Sequence, residues 1–215
     1  MNVAVFTSNP FEENTYVIWN DGYEDAAIID PGMNTDADRK KVDDFLAEHH
    51  LNLKYLFLTH MHLDHAWSAN YIRNKYSLQI MCAEEEQLLG FRMTEQANMF
   101  GVYNSFEPVV IDNHINDGDK FNLAGETIEV IQVPGHSPGG LTFYCEKSGM
   151  LFCGDVLFYG SVGRTDLPGG SMEELVYGIK HKLFVLPDET TVFSGHGYST
   201  TIGFEKHHNY VLSQF

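Results

Sequence analysis

The segment Thr59-His60-Met61-His62-Leu63-Asp64-His65 places three histidines and an aspartate within six residues, directly after the apolar run 54–59. Successive side chains of an extended chain alternate in direction, so His60 and His62 can project to one side from a strand end. Asp64 and His65 fall where a helix would begin. One loop can therefore offer imidazoles and a carboxylate to two adjacent positions. Neutral imidazole with carboxylate suits zinc or iron better than magnesium or calcium. Crowding four such side chains into a turn without partners would be costly, so the loop reads as metal-binding and not as an accidental polar turn.

Three later sites share one grammar. The apolar run 128–133 ends in Pro134-Gly135-His136-Ser137-Pro138-Gly139-Gly140, the run 150–153 in Gly154-Asp155, and the run 190–194 in Gly195-His196-Gly197. Each sets a metal-type ligand just past the end of a strand, beside a glycine that lets the backbone turn sharply. Ligands collect at the C-terminal ends of strands in open sheets. The candidates are then His60, His62, Asp64, His65, His136, Asp155 and His196. Seven exceed the needs of one four-coordinate zinc with an open catalytic position. They suit two metals that share a carboxylate.

The run His60 to His65 matches an HxHxDH motif, and the chain resembles the metallo-β-lactamase superfamily over nearly its whole length. That resemblance implies an α+β fold, a four-layer αββα sandwich. It implies that His60, His62 and His136 hold a first metal, that Asp64, His65 and His196 hold a second, and that Asp155 bridges them. Val133-Pro134-Gly135-His136-Ser137-Pro138-Gly139 and Gly154-Asp155-Val156-Leu157-Phe158 resemble glyoxalase II-like thioester hydrolases. The run Gly160 to Gly170, followed by Gly195-His196-Gly197, is similar to the short bacterial-type members. The chemistry implied is hydrolysis of small acyl thioesters such as hydroxyacylglutathione by a metal-bridging hydroxide. Asp64 and Asp155 are then the catalytic candidates for orienting it. Two divalent metal ions are expected, zinc first, with iron or mixed zinc/iron as alternatives. Longer glyoxalase II enzymes add a C-terminal helical domain that helps hold glutathione. This chain ends at Phe215, so a single domain over residues 1–215 without that addition is the expectation.

Rival readings share the fold. A mononuclear Fe(II) persulfide dioxygenase would use His60, His136 and Asp155 as a two-histidine, one-carboxylate triad. An RNA-processing nuclease and a non-catalytic interaction module rank lower. The first lacks an evident basic arm, and the second would be expected to lose ligands, whereas all seven are present.

Supporting residues carry two readings each. Asp30, before Pro31-Gly32, is a turn former or a partner for a ligand imidazole. Arg164 and Asp166 are spaced to form an ion pair that shapes their loop; Arg164 is also a candidate for a substrate carboxylate. Tyr198 is a candidate donor to a developing oxyanion. Cys153, two residues before Asp155, reads as core. Lys206, His207 and His208 read as a solvated helix face.

The elements that must position these residues follow from periodicity. Runs 14–19 and 25–30 read as strands about an Asp21-Gly22 hairpin. Residues 35–50 read as a helix capped by Thr35, with Val42, Phe45, Leu46 and His49 on one face. A strand over 54–59, a helix over 66–76, a strand over 78–82 and a mostly helical stretch over 84–103 follow. The stripe Leu88, Leu89, Phe91, Met93, Met99, Phe100 and Tyr103 reads as core packing before a substrate wall. Strands are expected over 128–133, 141–145, 150–153 and 190–194. A helix is expected over 171–184 with Ser171 capping, and a last one from about Thr201.

Composition limits the partners. The chain has 215 residues, 43% hydrophobic and 20% charged, so it folds as a globule and not as a disordered segment. Lys plus Arg is 13 against 30 for Asp plus Glu, a formal net charge of -17. That is a poor footprint for nucleic acid or for an anionic membrane, and small or neutral substrates, or cations, fit better; the thioester is what the family resemblance implies. The three cysteines lie in apolar runs and make no disulfide framework. With no signal peptide and no membrane span, a cytoplasmic location is expected. The oligomeric state is not legible.

Overall fold

Strand direction decides which loops meet. The computed structural model describes residues 1–103 and 105–215. The chain packs as two compact units, one of residues 1–115 with 123–125, the other of residues 116–122 with 126–215.

The first unit is built on six strands: β1 (Asn2–Ser8), β2 (Glu13–Trp19), β3 (Asp25–Ile29), β4 (Asn52–Phe57), β5 (Ile80–Cys82) and β6 (Asn113–His114), hydrogen-bonded in that order. The first three pair antiparallel. From β3 to β6 every pairing is parallel. Parallel strands are buried on both faces, so they read as continuous apolar runs. Ala26-Ala27-Ile28-Ile29 is such a run, and all four residues are fully buried. Because β3 and β4 are parallel with Ile29 opposite Phe57, their C-terminal ends emerge side by side. Asp30 leaves one end and the histidine motif leaves the other.

Helix α1 (Asp36–Glu48) begins where expected, with Thr35 Oγ1 accepting from the Asp38 amide. Its face buries Val42 and Leu46, while Phe45 packs edge-on against Phe6 and Trp19 with ring centroids 5.4 Å apart. The single helix expected over 66–76 is instead two, α2 (Leu63–Ala66) and α3 (Ala69–Tyr76). Ser68 breaks it: its amide donates to the Pro31 carbonyl and its hydroxyl to the Met33 carbonyl. The stretch 84–103 likewise divides into a 3-10 turn and two short helices, α4 (Gln87–Phe91) and α5 (Met93–Met99). The core reading of its apolar stripe is corrected as well. Met93 is buried, but Leu88, Phe91, Met99, Phe100 and Tyr103 are exposed.

The second unit carries β7 (Lys120–Leu123), β8 (Glu126–Gln132), β9 (Leu141–Cys145), β10 (Met150–Gly154), a two-stranded hairpin of β11 (Leu157–Phe158) and β12 (Ser161–Val162), then β13 (Thr191–Ser194) and β14 (Thr200–Thr201). The six-stranded order is β14-β13-β10-β9-β8-β7. Strands β8, β9 and β10 alternate in direction, and β10 runs parallel to β13. Strands β8, β10 and β13 therefore all point to one edge, the edge at which His136, Asp155 and His196 follow. Helix α6 (Met172–Gly178) starts on Ser171 as expected, its hydroxyl accepting from the Glu174 amide. It ends early, in a π-helical turn over residues 179–183. Helix α7 (Ile202–His208) is capped by Thr201. The core here includes Val133, Leu151, Leu175, Leu183 and Val192. Among the described residues no helix is long and apolar enough to cross a membrane.

Candidate metal centre

In the first unit the site grows from Asp30. Its carboxylate is buried and accepts from the Thr59 amide at 2.7 Å, from Thr59 Oγ1 at 2.6 Å, and from His65 Nδ1 at 3.0 Å. Asp30 is thus the imidazole partner, not merely a turn former. Its φ of +50° lies in the left-handed region, which Asp tolerates better than most residues. With Nδ1 committed to Asp30, His65 presents Nε2. His60 is oriented by the same hydroxyl, since Thr59 Oγ1 lies 3.0 Å from His60 Nδ1. That hydroxyl has one hydrogen and gives it to Asp30, so it accepts from His60 and leaves Nε2 as the nitrogen with a lone pair. The ring of His60 is 4.1 Å from that of His65 and 4.7 Å from that of His62. Asp64 Oδ2 is 3.9 Å from His65 Nε2. Four predicted ligands are therefore clustered at the end of β4.

Three polar residues that sequence reasoning passed over hold this loop. Buried Glu86 accepts from the Met61 amide at 2.9 Å. Gln96 accepts from the Leu63 amide and donates to the Met61 carbonyl, both at 3.1 Å. Asn9 Nδ2 donates to the carbonyls of Gly32 and Asp64. The backbone on both sides of His62 is thus tied to side chains. Gln96 carries no such role in the sequence alone; it acquires one because α5 packs it beside residues 61–63.

Glu13 lies behind this cluster, fully buried. Its Oε2 accepts from Thr15 Oγ1 at 3.2 Å, and Oε1 has no hydrogen-bond partner among the described residues. Burial pushes its carboxyl well above the usual range. His65 and Thr15 oppose that rise, and the charges of Asp30 and Asp64 add to it. Gly32 is needed for this packing, because a Cβ there would stand 2.1 Å from both Glu13 Oε2 and the Asp64 carbonyl oxygen.

In the second unit one carboxylate oxygen faces two imidazoles. Asp155 Oδ2 is 3.5 Å from His136 Nε2 and 3.5 Å from His196 Nε2. His136 Nδ1 donates to the Arg164 carbonyl at 2.8 Å, which fixes the tautomer with Nε2 directed at Asp155. Gly163 makes that approach possible: a Cβ there would fall 1.9 Å from the Asp155 carbonyl oxygen and 3.1 Å from His136 Cβ.

Arg164 and Asp166 form the expected ion pair, with two hydrogen bonds of 2.7 Å. The guanidinium holds the exposed Asp166 carboxyl at about 2. Tyr198 is 87% exposed. Cys153 is buried, with Sγ 3.2 Å from the Leu157 carbonyl, and Cys82 and Cys145 are buried too. On the C-terminal helix, Lys206 pairs with Asp188 while His207 and His208 are exposed.

Neutral imidazole nitrogens converging on carboxylates form a donor set that fits zinc or iron. Each ring whose Nδ1 is tied to the protein has the arrangement found around bound metals.

The family model of the Metallo-beta-lactamase superfamily matches residues 8–196. The chain is 37% identical to hydroxyacylglutathione hydrolase GloC of Haemophilus influenzae, over 99% of this chain and 99% of that one. Among solved structures, the BLEG-1 B3 metallo-beta-lactamase aligns with a TM-score of 0.86 at 32% identity, covering 99% of this chain and 100% of that one. The di-iron-bound form of TTHA1623 aligns with a TM-score of 0.84 at 30% identity, covering 98% and 100%.

Proposed function

We propose, for a chain that belongs to the metallo-beta-lactamase superfamily and has its fold, that it is a two-metal hydrolase of small acyl thioesters such as hydroxyacylglutathione. The observation that carries this reading is Asp155 Oδ2 at 3.5 Å from two imidazole nitrogens. A bridging ligand needs one carboxylate set between two ligand groups. The similarity to hydroxyacylglutathione hydrolase GloC supports the substrate class.

In this reading His60, His62 and His136 would hold a first metal, Asp64, His65 and His196 would hold a second, and Asp155 would serve both. Zinc is the expected metal, with iron or a mixed pair as alternatives. When bound, two divalent cations supply Lewis acidity that lowers the pKa of a water toward neutrality.

The chain's own residues do the rest. Asp30 and Thr59 keep Nε2 of His65 and His60 as the ligating nitrogens. The Arg164 carbonyl does the same for His136. Asp64 and Asp155 would accept hydrogen bonds from the attacking water and orient it toward the thioester carbonyl. A thiol of pKa about 8.5 departs as thiolate near neutral pH without prior protonation, so no general acid is needed. No covalent acyl intermediate is invoked, in keeping with three buried cysteines. Arg164 and Tyr198, both exposed, are assigned to the substrate, the first to a carboxylate and the second to the developing oxyanion.

The test is a panel of acyl thioesters and persulfides assayed on metal-loaded and chelated protein. Thioester hydrolysis that is lost on chelation and restored by zinc or iron supports the reading. Thioester inactivity together with oxygen uptake on glutathione persulfide would replace it with the dioxygenase.

A further inference from the structure

Glu205 lies on α7, outside every loop that carries a candidate ligand, and it is 1% exposed. A buried carboxylate needs hydrogen-bond donors to offset its lost hydration. Glu205 has three. The Gly160 amide reaches both carboxylate oxygens at 3.1 Å, Thr200 Oγ1 donates to Oε1 at 2.6 Å, and Asn209 Nδ2 donates to Oε2 at 2.7 Å. Asn209 Nδ2 also donates to the Ser161 carbonyl at 2.9 Å. These bonds converge on the turn of the β11–β12 hairpin, where Tyr159 and Gly160 link Phe158 to Ser161.

That hairpin is tied to all three candidate ligands of its unit. Asp155 lies two residues before it. Two residues after it, the Arg164 carbonyl accepts from His136 Nδ1. Ser194 Oγ, two residues before His196, donates to the Leu157 carbonyl at 2.6 Å, and the Phe158 ring lies 6.3 Å from that of His196. A shift of the hairpin would disturb His136, Asp155 and His196 together.

We propose that Glu205 is the positioning residue of this half of the metal centre: by holding the turn at Gly160 and Ser161, it sets the geometry of His136, Asp155 and His196. The proposal rests on the two-metal reading but not on the thioester substrate.

The test compares Glu205→Ala, Glu205→Gln and Leu183→Ala, the last being a fully buried core truncation in the same unit. Two quantities are read: amide hydrogen exchange at Gly160 in metal-free protein and zinc affinity by chelator competition. Glu205→Ala is expected to speed exchange at Gly160 and to weaken zinc binding by about tenfold or more, the scale seen when partners of metal ligands are removed. Glu205→Gln keeps an oxygen acceptor and is expected to restore zinc affinity to within about threefold of the parent, the scale of one hydrogen bond. Leu183→Ala is expected to lower stability without changing zinc affinity. If Glu205→Ala does not fold, Asn209→Ala carries the same expectation, because it cuts the link to Ser161. Parent-like zinc affinity and Gly160 exchange in Glu205→Ala, or in Asn209→Ala where that substitutes, would overturn the proposal. So would a loss of zinc affinity in Leu183→Ala equal to that in the Glu205→Ala or Asn209→Ala protein. Neither zinc affinity nor Gly160 exchange involves a thioester, so failure of the substrate assignment would leave this test intact.

Discussion

The Oδ2 oxygen of Asp155 stands 3.5 Å from Nε2 of His196, and the same oxygen is 3.5 Å from Nε2 of His136. The parallel pairing of β10 with β13 produces the first distance, since it brings Gly154 opposite Ser194 and sends both following loops off one edge. Asp155→Ala removes the shared carboxylate while leaving the apolar core intact. It is expected to lower kcat/KM at least about a thousandfold, roughly 4 kcal/mol of transition-state stabilisation, with a folded circular dichroism spectrum. Near-parent turnover in the folded variant would contradict the bridging role.

Asp30 offers a test of the first unit. Asp30→Asn keeps the shape and tolerates φ of +50°, so backbone strain is not introduced. It exchanges one carboxylate oxygen for an amide NH2 and removes the charge that faces His65 Nδ1. Metal affinity by chelator competition is expected to fall about tenfold to a hundredfold. An unchanged affinity would return Asp30 to the role of a turn former.

Gly163→Ala tests the close approach beside His136. The added Cβ meets the Asp155 carbonyl oxygen at 1.9 Å, a backbone atom that cannot swing aside. The variant is expected to lose about 1–3 kcal/mol of stability in urea titration and to bind metal more weakly. Parent-like values for both would show that the 155 and 163 backbones separate freely.

Glu13 gives metal-free protein a pH signature. Its folded pKa is raised well above 4.5, chiefly by burial, so the native state holds this proton more tightly than the unfolded chain. The contribution to stability is complete below the unfolded pKa and is lost as pH rises through the folded one. Urea unfolding of metal-free protein should therefore show stability falling with pH above about 4.5. Glu13→Gln should remove that component of the slope. Identical slopes for the two proteins would mean that Glu13 ionises normally.

The candidate ligands were legible because metal chemistry restricts residue type and because each follows an apolar strand. Thr35 and Ser171 were legible as caps because a hydroxyl placed before a helix accepts a backbone amide locally. The longer helices failed for tertiary reasons. Ser68 ends α2 because residues 31–33 offer it carbonyls, and nothing near Ser68 in sequence announces them. Glu86, Gln96 and Glu205 look like surface residues in sequence. Their roles depend on which distant amide each meets, which is set only by packing. The exposed half of the 88–103 stripe shows the converse: helical spacing of apolar residues does not by itself imply burial.

The most direct measurement compares kcat/KM for S-lactoylglutathione and for a cyclic β-lactam on one metal-replete preparation. A β-lactam expels an amine, which needs a proton donor or a well-placed charge to depart, whereas a thioester expels a thiolate. The account predicts a preference for the thioester of at least about a hundredfold, roughly 2.7 kcal/mol. Equal values, or a preference for the lactam, would contradict it.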